Sequence, residues 1–179
     1  MSNKFPLSQK YIDFINTTNV SAEFLEGTTA SGKTTVGAGV KFMRMVSQSP
    51  KKLHAIAAKT TGKAEETIIQ QDNGILDLHR NAVYCGNGDK DYKLPHIKFE
   101  GKIIYILGYS SRDKWEMVLG AQFGCVYIDE INTADIEFIR EMSTRNDYML
   151  ATLNPDDPSL PVYKAVSYTH LTLPTNSRV

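Results

Sequence analysis

A glycine-rich stretch near the N-terminus carries the clearest chemical signal in the sequence. Residues 27–34 read GTTASGKT: a glycine, four residues of any type, and then Gly-Lys-Thr. The two glycines allow successive backbone N–H groups to turn inward around phosphate oxygens. In such a P-loop the lysine, here Lys33, reaches the β- and γ-phosphates of a nucleotide, and the threonine hydroxyl, here Thr34, binds Mg²⁺. The predicted nucleotide-binding residues are Gly27, Thr28, Thr29, Ala30, Ser31, Gly32, Lys33, Thr34 and Thr35.

An acidic pair about a hundred residues later points from nucleotide binding to hydrolysis. Asp129 and Glu130 directly follow the apolar run CVYI. Asp129 suits the carboxylate that holds Mg²⁺ through water, and Glu130 suits the general base that activates the attacking water. Alone, the pair is equally compatible with a solvated loop or a helix cap. Together with the P-loop it favours catalysis, with Glu130 and Lys33 as the catalytic residues.

Two further polar positions are candidates for sensing and for base recognition. The run YMLATLN ends in Thr152 and Asn154, which can contact the γ-phosphate or the attacking water. The alternative is a strand-terminal turn, because Asn-Pro-Asp sequences favour turns. Gln9 can recognise the adenine edge, since an amide both donates and accepts hydrogen bonds. An exposed helical glutamine is nearly as good an interpretation.

These residues can form one site only if the strands that carry them end at the same edge of a sheet. Asn87-Gly88 and Glu100-Gly101 are predicted turns between neighbouring strands. Apolar strand patterns at 22–26, 52–58, 82–85, 96–109, 125–130 and 147–154 alternate with helical patterns at 10–15, 32–49, 61–79, 112–120 and 131–145. Such alternation favours a mainly parallel sheet with helices on both faces. The predicted fold class is therefore α/β, a P-loop NTPase of the additional-strand, RecA-like type.

Composition excludes several other classes of protein. The chain has 179 residues, 41% hydrophobic residues and a formal net charge of +0, as expected for about one globular domain. A neutral chain is not a dedicated nucleic-acid coat, although a local patch can still grip DNA. No apolar run reaches the length of about 20 residues that a membrane span needs. Cys85 and Cys125 are predicted to have no partners at metal-ligand spacing, and Cys125 is predicted to be a core residue of a protein in a reducing cytoplasm.

The last fourteen residues differ in character from the rest. The segment 166–179, VSYTHLTLPTNSRV, contains no acidic residue and closely resembles the translation of a transposase-type sequencing adapter. A natural β-strand and turn is the alternative. The expected organisation is therefore an ATPase domain over 1–165, ending early, and a non-native tail over 166–179.

With these motifs in place, the chain resembles the large subunit of tailed-bacteriophage terminases. It is most similar to the prophage-type group, which carries an EGT-x-x-SGKTT loop, a GYSS-x-x-K segment, an IDE-x-N strand end and an ATLNP segment. The resemblance covers residues 7–162. It implies an ATP- and Mg²⁺-dependent motor that packages double-stranded viral DNA into a procapsid, as a homo-oligomeric ring with a portal protein and a small terminase subunit. It also implies the host bacterial cytoplasm, transiently at the portal vertex, and no membrane.

The family pattern is incomplete at two points. A nuclease domain normally follows the ATPase domain, and none is expected within 1–165. Many relatives carry an arginine in the P-loop or just before the Asp-Glu strand, where this chain has TTAS and Leu119-Gly120. Arg112 and Arg145 remain possible arginine fingers, each also compatible with a surface role, and a ring neighbour can supply the finger instead. Competing interpretations are a helicase-like or recombination ATPase, a small P-loop kinase, and a domain that binds nucleotide without turnover.

Overall fold

A seven-stranded sheet forms the centre of the molecule. The computed structural model describes residues 9–27 and 32–154. The strands are β1 (Ala22–Glu26), β2 (Leu53–Ala58), β3 (Val83–Cys85), β4 (His96–Phe99), β5 (Lys102–Gly108), β6 (Phe123–Ile128) and β7 (Asn146–Leu153). Their order across the sheet is β1-β7-β6-β2-β5-β4-β3. The five strands from β1 to β5 in this order are parallel, and β4 and β3 are antiparallel additions.

The strand order confirms the additional-strand prediction. β7 lies between β1, which leads into the P-loop, and β6, which delivers Asp129. The register places Glu26 beside Leu153 and Ile128 beside Ala151. The carboxyl ends of β1, β7 and β6 therefore lie at nearly the same height on one edge of the sheet.

Helices cover both faces of the sheet, as predicted. The described helices are α1 (Gln9–Asn16), α2 (Met43–Gln48), α3 (Thr61–Ala64), α4 (Ile75–Leu78), α5 (Arg112–Glu116) and α6 (Ile136–Thr144). Two buried clusters form, one on each face, because successive strand residues point to opposite sides. In β6, Tyr127 belongs to the cluster with α1, α2 and α4, whereas Val126 and Ile128 belong to the cluster with α5 and α6.

The helix that follows the P-loop is locally widened. Residues Thr35–Phe42 form a π-helical segment that continues directly into α2. A second π-helical segment, Glu65–Ile69, follows α3, and the break before α4 at 70–74 agrees with the predicted bend near Asn73-Gly74. Such segments are uncommon and often lie near functional sites.

One local structure differs from the predicted elements, and one predicted turn is confirmed. The predicted helix 131–145 is divided into a 3₁₀ turn, Ile131–Thr133, and α6, because the Asp135 side chain accepts the Glu137 N–H at 2.7 Å and starts a new helix. The β4–β5 hairpin turns at Glu100 and Gly101, which both have positive φ, 49° and 73°. Positive φ at both positions is the geometry of a type I′ turn, which joins antiparallel strands.

Within the described ranges, no helix has the length and apolar character required to cross a membrane. The predicted tail, 166–179, lies outside the described residues, and so do residues 28–31 of the P-loop.

Candidate functional site

The three sequence signals meet at one edge of the sheet. Gly27 follows β1, Asp129 and Glu130 follow β6, Thr152 lies near the end of β7, and Asn154 follows that strand. Open parallel sheets bind ligands at the carboxyl ends of their strands, which is where these residues lie.

Lys33 connects two of these strand ends. Its ammonium donates to the carbonyl oxygen of Gly27 and, at 3.0 Å, to Oδ1 of Asn154. Burial lowers the pKa of Lys33, while the nearby carboxylates of Asp129 and Glu130 oppose that shift. Gly32, just before it, has a φ of 78°, the left-handed conformation that a glycine adopts without strain. The lysine is thus placed between the loop and the acidic pair, as a phosphate-binding lysine requires.

Asp129 is a nearly buried carboxylate held by hydroxyl groups. It is 9% exposed, and its Oδ1 accepts hydrogen bonds from Thr152 Oγ1 at 2.7 Å and Tyr127 Oη at 3.1 Å. Burial raises the pKa of Asp129, an effect that the two hydroxyl donors and Lys33 reduce. A cation beside this carboxylate would favour its charged form.

The oxygen groups near Asp129 fit Mg²⁺. The Thr34 side chain hydrogen-bonds the Tyr127 hydroxyl, which in turn donates to Asp129, so Thr34 and Asp129 are connected through one tyrosine. A hydroxyl and a carboxylate are the hard oxygen ligands that Mg²⁺ prefers. The donor set therefore suits the predicted metal ligands, Thr34 and Asp129.

Glu130 adopts an uncommon backbone conformation. Its φ is 50° and its ψ 49°, a left-handed geometry that few residues other than glycine adopt. Its N–H donates to Thr152 Oγ1 at 3.1 Å, and its Oε1 accepts from Asn154 Nδ2 at 3.4 Å. Strained backbone of this kind persists where surrounding contacts fix it, often in active sites.

Asn154 connects the lysine to the glutamate. Its amide oxygen accepts from Lys33, and its amide nitrogen donates to Glu130. Thr152 similarly contacts both acidic residues. The two predicted sensor residues therefore contact all the charged groups of the site.

Two tyrosines of the site were not predicted from the sequence. Tyr127 connects Thr34 to Asp129, and the Tyr109 hydroxyl lies 3.2 Å from the Asp129 carbonyl oxygen and 2.6 Å from Thr133 Oγ1. Burial raises the pKa of Tyr109 to about 12. A signal existed for both residues. Along β6, Tyr127 faces the opposite side of the sheet from its two neighbours in the strand. Tyr109 lies in the GYSS segment.

Three predicted site residues do not contact this group. Gln9 is exposed on α1, where its amide donates to Asp13 Oδ1 at 2.8 Å. Arg112 lies at the same edge of the sheet, but its guanidinium makes two 2.8 Å bonds to Glu137. Arg145 pairs with Glu141 at 2.9 Å and precedes β7, at the opposite edge. The structure thus brings neither arginine into contact with Lys33 or Glu130.

The fold brings Cys85 near two potential metal ligands that its spacing in the sequence does not indicate. The turn between β3 and β4 brings the Cys85 thiol close to Asp89 and His96. Linear spacing conceals this group, because its members come from both sides of a hairpin.

Comparisons with known proteins agree with this geometry. Residues 24–163 match the family described as terminase large subunit, T4likevirus-type, N-terminal. No curated protein matches the chain in sequence.

Solved structures show the same fold at low sequence identity. The large terminase from a thermophilic bacteriophage superposes with a TM-score of 0.66 at 18% identity, covering 86% of this chain and 40% of that one. The same terminase in complex with ATP-gamma-S gives a TM-score of 0.64 at 18% identity, with coverages of 86% and 39%. The N-terminal domain of the DNA packaging ATPase from bacteriophage phi29 gives 0.57 at 9% identity, with coverages of 90% and 85%. The chain thus spans about 40% of the length of the thermophilic phage's large terminase.

Proposed function

Because this chain belongs to the family of T4likevirus-type terminase large subunits, matching its N-terminal model, we propose that it hydrolyses ATP to drive packaging of viral DNA. The proposal extends to the partners implied by the family: double-stranded viral DNA, a portal protein, a small terminase subunit and neighbouring copies in a ring. The corresponding location is the host bacterial cytoplasm, transiently at the portal vertex of the procapsid.

Some residues of the site bind the nucleotide and the metal ion, and Glu130 transfers a proton. Lys33 neutralises charge on the β- and γ-phosphates, and Thr34 and Asp129 would hold Mg²⁺. The bound ion would supply additional positive charge against the phosphate oxygens. Glu130 accepts a proton from the attacking water at a carboxylate oxygen. Asn154, hydrogen-bonded to both Lys33 and Glu130, positions the base relative to the phosphate-binding lysine.

One observation carries the proposal of hydrolysis over simple nucleotide binding. Asn154 at the end of β7 makes direct contacts with both the P-loop lysine and the predicted base. A domain that only binds nucleotide needs no residue that hydrogen-bonds both of these side chains. A kinase must exclude water and has no use for a carboxylate base at this position.

The test separates nucleotide binding from turnover. We expect Lys33→Ala to abolish ATP binding, because the phosphate charge loses its main partner. We expect Glu130→Gln to retain ATP affinity and to lower the hydrolysis rate by at least about 10²-fold, the usual contribution of a general base. Binding is measured with a fluorescent ATP analogue and turnover by phosphate release.

Matched substitutions at the opposite edge of the sheet provide the controls. Lys51→Ala and Glu141→Gln change the same residue types, just before β2 and in the last turn of α6. Both variants should bind and hydrolyse ATP as the unmodified chain does. Normal hydrolysis by Glu130→Gln would refute the assignment of the base, and unchanged ATP affinity of Lys33→Ala would refute the nucleotide site itself.

A further inference from the structure

The β3–β4 hairpin assembles three metal-ligating side chains far from the nucleotide site. Cys85 ends β3, His96 begins β4, and Asp89 lies in the turn between them. One ligand atom from each residue lies within 4.8 Å of the other two. β3 lies four strands from β6, which delivers Asp129, and is therefore about 19 Å away at the usual strand spacing. The cluster is therefore independent of the predicted Mg²⁺ ligands.

The hydrogen bonding of His96 leaves a lone pair available for a metal ion. Its side chain is 0% exposed, and Nδ1 lies 2.8 Å from the carbonyl oxygen of Leu94. A carbonyl oxygen only accepts, so Nδ1 carries a hydrogen, and an imidazole with one hydrogen then has its lone pair on Nε2. This is the arrangement seen in metal-bound histidines, whose other nitrogen donates to a carbonyl or carboxylate. Among the described residues, Nε2 has no hydrogen-bond partner.

The Asp89 carboxylate is fixed beside this lone pair. Its Oδ1 accepts the backbone N–H groups of Tyr92 at 2.7 Å and Asp91 at 2.9 Å. Its Oδ2 lies 3.4 Å from His96 Nε2. The tight turn depends on Gly88, which has a φ of 71° and where a Cβ atom would lie 2.5 Å from the Lys93 carbonyl oxygen.

Two electron-pair donors that face each other require a cation or a proton between them. Lys98 supplies part of this charge, since its ammonium lies 2.5 Å from Asp89 Oδ2. The Lys98 side chain is 45% exposed and can turn into solvent. Lys98 approaches Asp89 from the exposed surface, whereas His96 Nε2 faces Asp89 from a buried position.

We propose that Cys85, Asp89 and His96 bind a Zn²⁺-like divalent metal ion that closes the β3–β4 hairpin. A thiolate, an imidazole and a carboxylate form a ligand set that Zn²⁺ accepts, with water in the fourth tetrahedral position. Binding forms one bond each from Sγ, Nε2 and Oδ2 to the metal and releases the Cys85 thiol proton to solvent. Tetrahedral ligands lie about 3 to 4 Å apart, so the hairpin must contract by about 1 Å.

Cobalt substitution gives a direct test on the full 179-residue chain. The chelator-treated protein is titrated with Co²⁺ in excess Mg²⁺, which saturates the nucleotide site. We expect one Co²⁺ per chain, visible as tetrahedral d–d bands and a thiolate-to-cobalt charge-transfer band. Added Zn²⁺ should displace the Co²⁺ and remove both bands, because nitrogen and thiolate sites bind Zn²⁺ more tightly.

Substitutions of the ligands and of matched residues decide the outcome. Cys85→Ser should remove the charge-transfer band, and Asp89→Asn should weaken Co²⁺ binding at least tenfold while preserving the Oδ1 bonds of the turn. Cys125→Ala, which changes the core thiol, and Asp91→Asn, which changes the neighbouring carboxylate, should bind Co²⁺ normally. Circular dichroism establishes that each variant is folded.

Two results would overturn the site. One is the absence of a stoichiometric thiolate band in the unmodified, folded chain, which would mean that a protonated His96 and Lys98 alone neutralise Asp89. The other is a band that survives Cys85→Ser. Either result leaves the proposed ATP hydrolysis unaffected, because no ligand is shared.

Discussion

At the scale of single residues, a few polar side chains at the end of β7 organise the site. Thr152 Oγ1 contacts the Asp129 carboxylate and the Glu130 N–H, and Asn154 contacts Lys33 and Glu130. The predicted metal ligand and the predicted base are therefore held by the same strand. A change in any of these contacts alters the geometry of both.

Substitution of Asn154 tests this arrangement. We expect Asn154→Ala to lower ATP turnover at least tenfold, because Glu130 loses the donor that positions its carboxylate. ATP affinity should change less than about threefold, since Lys33 keeps its bond to Gly27 and remains available to the phosphates. Phosphate release and binding of a fluorescent ATP analogue measure the two effects.

The matched control lies at the other end of the same strand. Asn146 donates to the Met142 carbonyl oxygen at 2.5 Å and precedes the paired core of β7. Asn146→Ala should leave turnover unchanged. Equal turnover by Asn154→Ala and the unmodified chain would refute the positioning role.

The charged residues of the site could be predicted from sequence, but the hydrogen-bond partners of its two tyrosines could not. Lys33, Asp129 and Glu130 each follow a short local pattern of strand, glycine or helix, so their positions are fixed by neighbours in the sequence. Tyr127 and Tyr109 act through hydroxyl groups that find their partners only in the folded chain. An apolar strand predicts a buried tyrosine ring without indicating which polar group its hydroxyl meets.

At the scale of elements, a buried ion pair connects α1 to the sheet. Lys41 is 0% exposed, and its ammonium lies 3.2 Å from Glu23 Oε2 at the start of β1. The same ammonium donates to the carbonyl oxygens of Phe14, at 2.7 Å, and Thr17. Tyr148 of β7 donates to Glu23 at 2.6 Å. This network connects α1, the P-loop helix and two strands.

Breaking one side of this pair should destabilise the fold strongly. Lys41→Met leaves Glu23 buried without its partner, and we expect a loss of about 3 to 5 kcal/mol in the free energy of unfolding. The double variant Lys41→Met with Glu23→Gln should recover part of this loss, because no buried charge remains. Urea denaturation followed by circular dichroism measures each value.

An exposed lysine serves as the control for this experiment. Lys59 is exposed after β2, so Lys59→Met should change the free energy of unfolding by less than about 0.5 kcal/mol. A double variant as unstable as Lys41→Met would show that lost packing, and not the unpaired charge, dominates the effect.

The sequence indicated the elements better than their pairing directions. The helix and strand positions agree with the predicted ones because hydrophobic periodicity and Gly or Pro punctuation are local signals. The antiparallel pairing of β3 and β4 was not predicted, since a run such as HIKF has no feature that specifies its neighbour. The turn at Glu100-Gly101 was predicted, and in the structure both residues have the positive φ of a hairpin turn between β4 and β5.

At the scale of the whole molecule, the strands that support the site all lie within the part of the chain that the structure describes. All strand ends that carry Lys33, Asp129, Glu130 and Asn154 lie within residues 9–154. We therefore expect that deletion of 166–179 leaves ATP affinity unchanged within about twofold. A fluorescent ATP analogue measures the affinity of both chains.

The deletion also tests the origin of the tail. If 166–179 is translated adapter sequence, its removal should change neither ATP affinity nor the thermal unfolding temperature. A substitution of the same segment by a Gly-Ser sequence of equal length controls for chain length. A marked loss of affinity in both variants would show that the segment takes part in nucleotide binding.

The position of β7 has a mechanical consequence. Met149, Leu150 and Ala151 are paired on both sides, with β1 and with β6. A strand held in this way cannot slide along its axis without breaking two ladders of hydrogen bonds, so the sheet is stiff in that direction.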